Sequence, residues 1–331
     1  MNTAFVLAAG LGTRLRPLTE HHPKPLVPVC GVPLLAYSLA ACARHGLVEV
    51  VVNAHWLADQ VEAWAGEREG VRVVVSTELP DVLGTGGGLK RVADRLADTF
   101  VVLNGDVLHD VDLGALIRAV PPDGAAMALR RDPENAPKYG VVAADAEHTV
   151  VELTTVARAE PEGAVDRGTH FTGIHAMSRS ALSHVPDGFA CVVRTAYKAL
   201  VPERRVGAIR YDGVWLDAGD PQQYLDANLE VLGGRVVLAL DPFARAAWAL
   251  TGDGREYGDR SVVDGVEIAG PAWVGPGATI GRGAVLDRAV IGAGATVAPG
   301  AVLRETVVWD RMSVGGVQER AIVFPGGVLA V

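Results

Sequence analysis

An aliphatic residue recurs at nearly every sixth position in the last part of the chain. With two shorter steps of five residues, the series is Ile268, Val274, Ile280, Leu286, Ile291, Val297, Leu303, Val308 and Val314. Glycines fill the corners between these positions, as in Val274-Gly275-Pro276-Gly277. A six-residue period is typical of a β-helix, in which inward aliphatic side chains stack coil on coil. We therefore predict a β-helix over residues 261–331.

The residues before this repeat alternate strand-like and helix-like segments. Residues 49–53 form a nearly continuous apolar run, as expected for a strand that is covered on both faces. Helices are predicted over 33–45 and 56–65, and further strands over 71–76 and 100–104. This order predicts an α/β domain with a doubly wound, mainly parallel sheet that binds ligands at the carboxyl ends of its strands.

Later segments complete the predicted organisation. Residues 125–177 have a shorter, strand-like pattern, which we interpret as a β-rich insertion that covers a second substrate. Helices are predicted near 192–201 and 221–232. The pair Gly233-Gly234 ends the first predicted domain, 1–234, and residues 235–260 have no clear period and are predicted to be a linker.

A glycine-rich bend with clustered cations follows the first predicted strand, 4–7. The bend Gly10-Leu11-Gly12-Thr13 precedes Arg14 and Arg16, and Lys24 then stands between two prolines. Glycine lets backbone N–H groups approach a ligand closely, and the cations can donate hydrogen bonds to phosphate oxygens. Because the chain has only four lysines, Lys24 indicates a site that favours a compact charge over a forked one. The segment predicts a polyphosphate site.

Two other phosphate-binding motifs are excluded in this segment. No Gly-Lys-Ser or Gly-Lys-Thr follows at the spacing of a Walker-type loop, and Leu15 stands where a dinucleotide fingerprint needs its third glycine. An ordinary strand-to-helix turn with surface arginines remains the alternative for the glycines taken alone.

Three further clusters carry candidate chemistry. The glycine-rich run 84–88 opens a predicted helix, so its N–H groups can face a ligand; a flexible helix entry is the alternative. Asp106 ends a predicted buried strand, and Asp217 lies in the string 213–219, GVWLDAG. Each aspartate alone is compatible with a turn or a helix cap. As a pair beside a phosphate site, they predict ligands for Mg²⁺, which prefers carboxylates, phosphates and water.

The segment 10–26 resembles the signature of the sugar-1-phosphate nucleotidyltransferases, GxGTRLxPLTxxxPKPL. The resemblance extends over about the first 230 residues through the strings at 84–88 and 213–219. It implies a Rossmann-like nucleotidyltransferase domain, and the tail is similar to the left-handed β-helix of many members. It also implies substrates that are a nucleoside triphosphate and a sugar 1-phosphate, with Mg²⁺ as cofactor.

The resemblance assigns roles to individual residues. Arg14 and Lys24 are the expected catalytic cations, and Asp106 and Asp217 the expected metal ligands. The expected nucleotide-binding residues are Leu7, Ala8, Ala9, Gly10, Gly12, Thr13, Glu78, Gly84 and Thr85. The expected sugar-binding residues are Asn104, Gly140, Glu152, Thr172 and Gly173.

One departure from the family pattern bears on the sugar. Many members have Glu-Lys-Pro where this chain has Thr154-Thr155-Val156. Lys198 is a candidate replacement for the missing lysine, although a solvated helix lysine is the simpler interpretation. The missing Glu-Lys-Pro string and the stretch 52–57 are similar to the sequences of N-acetylmuramate-1-phosphate uridylyltransferases. The tail, in contrast, resembles that of mannose-1-phosphate guanylyltransferases. We favour GDP-mannose synthesis; another UDP-, ADP- or dTDP-sugar remains an alternative.

Composition and histidine positions exclude several other classes. A net charge of −9 argues against a nucleic-acid binder, and no apolar run approaches membrane-spanning length. No histidine follows His184, so the tail lacks the general base that β-helix acyltransferases use. A non-catalytic nucleotide-sugar sensor should have lost Arg14, Lys24 or an aspartate. We expect a cytoplasmic enzyme that self-associates through its β-helix, without membrane or nucleic-acid partners.

Overall fold

The computed structural model describes residues 3–331. Contacts within the chain divide it into two compact units. The first runs to Gly10 and also includes Ser38–Gly105 and His109–Trp215. The second comprises Leu11–Tyr37, Asp106–Leu108 and Leu216–Val331. The predicted domain boundaries at 234 and 261 stay a prediction.

An eight-stranded sheet forms the framework of the first unit. Its strands in spatial order are Val206–Tyr211, Ala125–Arg131, Thr169–Ser178, Thr99–Asn104, Thr3–Leu7, Glu49–Ala54, Val71–Thr77 and Gly66–Arg68. Thr3–Leu7 lies parallel to both of its neighbours, and Glu49–Ala54 lies parallel to Val71–Thr77. These central strands are rich in buried valine, which suits strands covered on both faces. The fold is mixed α/β with a large sheet rich in parallel pairs.

The α-helices are short, and most lie where the sequence predicts them. They span Leu34–Arg44, Ala58–Trp64, Gly84–Arg91, Leu113–Arg118, Ala136–Tyr139, Lys198–Leu200 and Pro221–Leu232. Pro221–Leu232 has the predicted bounds because Pro221 stands at its first position and the Asp220 side chain accepts a hydrogen bond from the Gln223 N–H. Within residues 3–331, no helix has both the length and the apolar character needed to cross a membrane.

The predicted β-rich insertion at 125–177 is divided between two sheets. Its first and last strands, Ala125–Arg131 and Thr169–Ser178, belong to the central sheet. Only the middle strands form a separate sheet, Val142–Ala144, Val150–Leu153 and Ala157–Arg158. The region 125–177 is therefore rich in strands, and its role in covering a second substrate stays a prediction.

Parallel strands dominate the C-terminal part of the second unit. They are Glu267–Ile268, Ala272–Val274, Thr279–Ile280, Val285–Ile291, Thr296–Val297, Val302–Val308, Ser313–Val314 and Val317–Phe324. Val285 lies opposite Val302 and Thr296 opposite Ser313, an offset of 17 residues. Two six-residue steps and one five-residue step of the sequence repeat give this offset.

The aliphatic residues of the repeat meet in one core, as predicted. Seven of the nine lie in a single buried cluster and two, Ile268 and Ile280, pack against it. Antiparallel strands adjoin these parallel strands. They are Trp248–Leu250 and Glu256–Gly258, inside the predicted linker, and Gly327–Ala330. Residues 235–260 therefore contain secondary structure that pairs with the C-terminal sheet.

Candidate active site

The turn that carries Arg14 depends on a glycine. Gly12 has φ +61°, and a Cβ there would come within 2.9 Å of the Thr19 Cγ2. The Thr19 hydroxyl donates to the Gly12 carbonyl at 2.8 Å, which closes the loop that contains Arg14. The Arg14 side chain is exposed at this turn. The glycine and threonine of the motif therefore present the arginine to solvent on a closed loop.

Lys24 and Asp106 form a short ion pair within the second unit. Lys24 Nζ lies 2.5 Å from Asp106 Oδ2, with only 12% of the lysine side chain and 26% of the aspartate side chain exposed. The Ala218 N–H donates to the Asp106 carbonyl at 3.1 Å. This bond holds Asp106 beside the segment that contains Asp217.

Asp217 lies in the same charged cluster. Burial raises the pKa of its carboxyl above the ordinary value, and the negative charge of Asp106 raises it further, whereas Lys24 and Arg14 act in the opposite direction. A Cβ at Gly219 would be 3.0 Å from Asp217 Oδ2 and 3.2 Å from an Arg14 Nη1. The structure thus brings together the four charged residues that the sequence singled out.

The pair of carboxylates suits a divalent cation. Among residues 3–331, no three or more His, Cys, Asp or Glu side chains are grouped to hold a metal ion. However, the Gln223 Oε1 is buried, lacks a hydrogen-bond partner among the described residues, and would be 2.6 Å from a Cβ at Gly219. Two carboxylates that repel each other and an unpaired neutral oxygen fit an ion that takes its other ligands from phosphate and water.

In the first unit, Asn53 organises the start of the predicted nucleotide loop. Its Oδ1 accepts hydrogen bonds from the N–H groups of Ala8 at 2.7 Å and Ala9 at 3.2 Å. Its Nδ2 donates to Glu78 Oε1 at 2.8 Å. This role of Asn53 was not predicted; a polar residue at the end of the apolar run 49–53 was its signal in the sequence.

Glu78 is fully buried and hydrogen-bonded through both carboxylate oxygens. The Leu83 N–H donates to its Oε2 at 2.6 Å, and Asn53 holds the other oxygen. A Cβ at Gly88 would lie 2.6 Å from Glu78 Oε1. The carboxylate therefore joins strand Glu49–Ala54 to the segment before helix Gly84–Arg91, and its contact with the nucleotide base stays a prediction.

The glycine run 84–88 packs against backbone of the same unit. The N–H groups of Gly86 and Gly87 donate to the Ala190 carbonyl at 2.8 and 3.3 Å. A Cβ at Gly87 would overlap the Gly188 carbonyl oxygen. Two of the N–H groups expected to face a ligand therefore serve the fold, and the roles of Gly84 and Thr85 stay predictions.

Three predicted sugar-binding residues lie together. Gly173 has φ +81°, and a Cβ there would overlap the Asn104 amide. The Thr172 hydroxyl donates to the Ala128 carbonyl at 2.8 Å, and the Trp215 indole N–H donates to the Thr172 carbonyl at 2.9 Å. Asn104, Thr172 and Gly173 thus form one close-packed group at the carboxyl end of strand Thr99–Asn104.

The other two predicted sugar residues have different surroundings. A Cβ at Gly140, whose φ is +94°, would be 2.9 Å from Thr154 Cγ2, so the position that departs from the family pattern lies against Gly140. Glu152 pairs with Arg167 at 2.9 Å and with Arg158 at 3.4 Å. Arginine therefore neutralises Glu152 in this chain.

A ring cluster beside the predicted sugar residues was not foreseen. Tyr139, His170 and Trp215 have ring centroids 4.8 to 5.2 Å apart. His170 is buried, its Nε2 has no hydrogen-bond partner among the described residues, and burial lowers the pKa of its imidazole. A neutral imidazole nitrogen can exchange a hydrogen bond with a polar ligand. His170 lies in strand Thr169–Ser178 and belongs to no recognisable sequence motif.

Comparisons with known proteins agree with the resemblance. A family profile described as nucleotidyl transferase matches residues 3–233. The UTP–glucose-1-phosphate uridylyltransferase of Synechocystis is 30% identical over 82% of this chain and 78% of the relative. The N-acetylmuramate alpha-1-phosphate uridylyltransferase of Caulobacter vibrioides is 34% identical over 68% and 95%. The mannose-1-phosphate guanylyltransferase of Mycobacterium tuberculosis is 31% identical over 70% and 65%.

The fold is also similar to that of a solved structure. The crystal structure of HddC from Yersinia pseudotuberculosis superposes with a TM-score of 0.57 and 21% identity, over 70% of this chain and 99% of that chain. At this identity the likeness concerns the fold.

Proposed function

Because this chain belongs to the nucleotidyl transferase family, we propose that it joins a nucleoside triphosphate to a sugar 1-phosphate and releases pyrophosphate. The observation that carries the proposal is the grouping of Arg14, Lys24, Asp106 and Asp217 in one compact unit. Two cations and two carboxylates at one place suit a reaction that breaks and forms bonds between phosphates. A non-catalytic sensor is disfavoured, since all four charged residues are present.

The reaction is an in-line displacement. A phosphate oxygen of the sugar 1-phosphate attacks the α-phosphorus, and the bond from that phosphorus to the oxygen bridging to the β-phosphate breaks. The electron pair leaves with pyrophosphate. Because the nucleophile is already an anion, no general base is required, and catalysis comes from positioning and charge neutralisation.

Each charged residue has a proposed part. Arg14 neutralises the β- and γ-phosphates and the departing pyrophosphate. Lys24 binds the α-phosphate and the incoming sugar phosphate as a compact charge. Asp106 and Asp217 hold Mg²⁺, which supplies charge neutralisation for the phosphates.

The remaining predicted residues have binding roles. The loop 7–13 with Glu78, Gly84 and Thr85 binds the nucleotide, and its start is ordered by Asn53. Asn104, Gly140, Glu152, Thr172 and Gly173 bind the sugar. The close packing of Asn104 against Gly173 supports a common site for these two residues.

The C-terminal strands bear on the choice of substrate. Their 17-residue offset and shared aliphatic core support a β-helix. From the resemblance, we propose that it is left-handed and mediates self-association of a cytoplasmic enzyme. We propose GTP and mannose 1-phosphate as substrates, because the tail is similar to that of many mannose-1-phosphate guanylyltransferases.

A second candidate substrate pair is UTP and N-acetylmuramate 1-phosphate. It is favoured by Thr154, which lies against Gly140 where many members have the Glu-Lys-Pro string. The Caulobacter relative with that name also matches over nearly its whole length.

A substrate panel tests the proposal. We expect pyrophosphate release, measured with a coupled phosphate assay, only when a triphosphate, a sugar 1-phosphate and Mg²⁺ are all present. GTP with mannose 1-phosphate should give the highest kcat/KM. Faster turnover of UTP with N-acetylmuramate 1-phosphate would assign the second candidate. No pyrophosphate release with any pair would contradict the proposed function.

A further inference from the structure

The C-terminal strands and the segment that carries Lys24 belong to the same compact unit. Helix Pro221–Leu232 contacts both the Pro28–Val29 strand and the C-terminal strands. Its Asn228 Oδ1 accepts a hydrogen bond from the Cys30 N–H at 2.9 Å. The N-terminal segment 22–33 is therefore packed on the C-terminal part of the chain.

A chain of two hydrogen bonds, one buried and one partly buried, connects these parts. The Trp309 indole N–H donates to the Tyr224 hydroxyl at 2.9 Å, and this hydroxyl donates to the Pro28 carbonyl at 2.6 Å. Tyr224 is fully buried, and only 5% of Trp309 is exposed. Buried hydrogen bonds of this kind fix their partners, because a lost bond leaves an unpaired polar group.

Trp309 also contacts the other side of the Lys24 segment. Its ring centroid lies 5.6 Å from that of His22. Between His22 and Pro28, the Leu26 N–H donates to the Pro23 carbonyl and the Val27 N–H donates to the Lys24 carbonyl. Trp309 thus contacts one end of a short turn directly and the other through Tyr224, and Lys24 in this turn is paired with Asp106.

We propose that Trp309 and Tyr224 are positioning residues that hold segment 22–28 so that Lys24 meets the reacting phosphates. The inference rests on the proposed function of Lys24. It gives the C-terminal strands a part in catalysis, since Trp309 directly follows strand Val302–Val308. The family profile matches residues 3–233, so Trp309 lies beyond the matched region and Tyr224 lies within it.

Conservative variants test the proposal. Trp309→Phe keeps an aromatic ring and removes the hydrogen bond to Tyr224, whereas Tyr224→Phe keeps its ring and removes both hydrogen bonds of the chain. We expect each to lower kcat about tenfold, because a small misplacement of a catalytic group is costly, while KM for both substrates changes less than about twofold. Trp248→Phe is the matched control: it removes the Trp248 indole bond to Glu256 at 2.7 Å, in the same unit. It should leave kcat unchanged.

Two further measurements separate positioning from general stability. In a Lys24→Gln background, Trp309→Phe should cause no additional loss of kcat, because both changes act through the same lysine. Amide hydrogen exchange of residues 24–28 should be faster in Tyr224→Phe than in the wild type, and unchanged in Trp248→Phe.

The outcomes are distinguishable from failure of the proposed function. An equal loss of kcat in Trp248→Phe, or a further loss in the Lys24→Gln background, overturns the positioning role. Unchanged exchange of residues 24–28 in both Trp309→Phe and Tyr224→Phe overturns it as well, whatever reaction the wild type catalyses. If the wild type transfers no nucleotide, the proposed function fails, and the exchange measurement still decides whether Trp309 and Tyr224 hold segment 22–28.

Discussion

At the scale of single residues, Asp217 is held in an electrostatic environment that disfavours its own charge. Burial and the negative charge of Asp106 raise the pKa of its carboxyl, and Lys24 and Arg14 offset this only in part. Near neutral pH, the ionised carboxylate therefore costs folding free energy. Such a cost is common where a binding site awaits an opposite charge.

This environment gives a stability prediction with a definite sign. The cost is absent below the ordinary aspartate pKa and fully present above the raised pKa. Without divalent ions at pH 7.5, Asp217→Asn should therefore raise the melting temperature by about 1–3 °C, measured by scanning fluorimetry. Mg²⁺ should stabilise the wild type and not the variant.

An exposed aspartate provides the control for that measurement. Asp212, whose side chain is 64% exposed, should change the melting temperature little when replaced by asparagine. A lower melting temperature for Asp217→Asn without metal would contradict the electrostatic account.

Residues that act through distant contacts could not be identified from the sequence. Arg14, Lys24, Asp106 and Asp217 were predictable because each lies in a local string with recognisable chemistry. Asn53 was not, since its partners Ala8 and Glu78 are 45 and 25 positions away. Trp309 and Tyr224 are 85 positions apart and belong to no such string.

Among the structural elements, glycine has different roles in the two glycine-rich segments, 10–13 and 84–88. Gly87 in helix Gly84–Arg91 has no room for a side chain, because segment 188–190 approaches it. Gly10, by contrast, has nothing within 4 Å of the position of a Cβ, and its φ is not in the left-handed region. The fold therefore requires glycine at Gly87 and does not require it at Gly10.

The contrast separates folding from ligand binding. Gly87→Ala should lower the free energy of unfolding by about 2 kcal/mol through the clash, measured by urea titration. Gly10→Ala should leave the free energy of unfolding unchanged and weaken triphosphate binding at least about tenfold, measured by calorimetry, because the added methyl group blocks close approach to phosphate. Unchanged affinity in Gly10→Ala would remove this glycine from the nucleotide loop.

Elements with a strong local period were predicted well, and elements defined by pairing were not. The aliphatic repeat identified the residues of the C-terminal core, including its two five-residue steps. Helix Pro221–Leu232 was marked by its own capping residues. The strands Ala125–Arg131 and Thr169–Ser178 pair with each other in the central sheet. The register of this pairing depends on both strands together, so neither segment predicts it alone.

In the whole molecule, each compact unit is built from stretches that are not consecutive in the sequence. Residues 11–37 and 106–108 are grouped with 216–331, so the charged cluster is assembled from three separate stretches. Sequence patterns suggested a division into consecutive domains, because composition and period change along the chain. Which stretches pack together depends on tertiary contacts such as that between Gly31 and the Trp273 ring.

Lys24 is the residue proposed to act directly on the phosphates that react. The most direct test is the single-turnover rate of pyrophosphate release by Lys24→Gln, with Lys198→Gln as the matched control on an exposed helix lysine. We predict a loss of about 10² to 10³ for Lys24→Gln with the melting temperature retained, and no change for Lys198→Gln. A folded Lys24→Gln protein that releases pyrophosphate at the wild-type rate would contradict the claim.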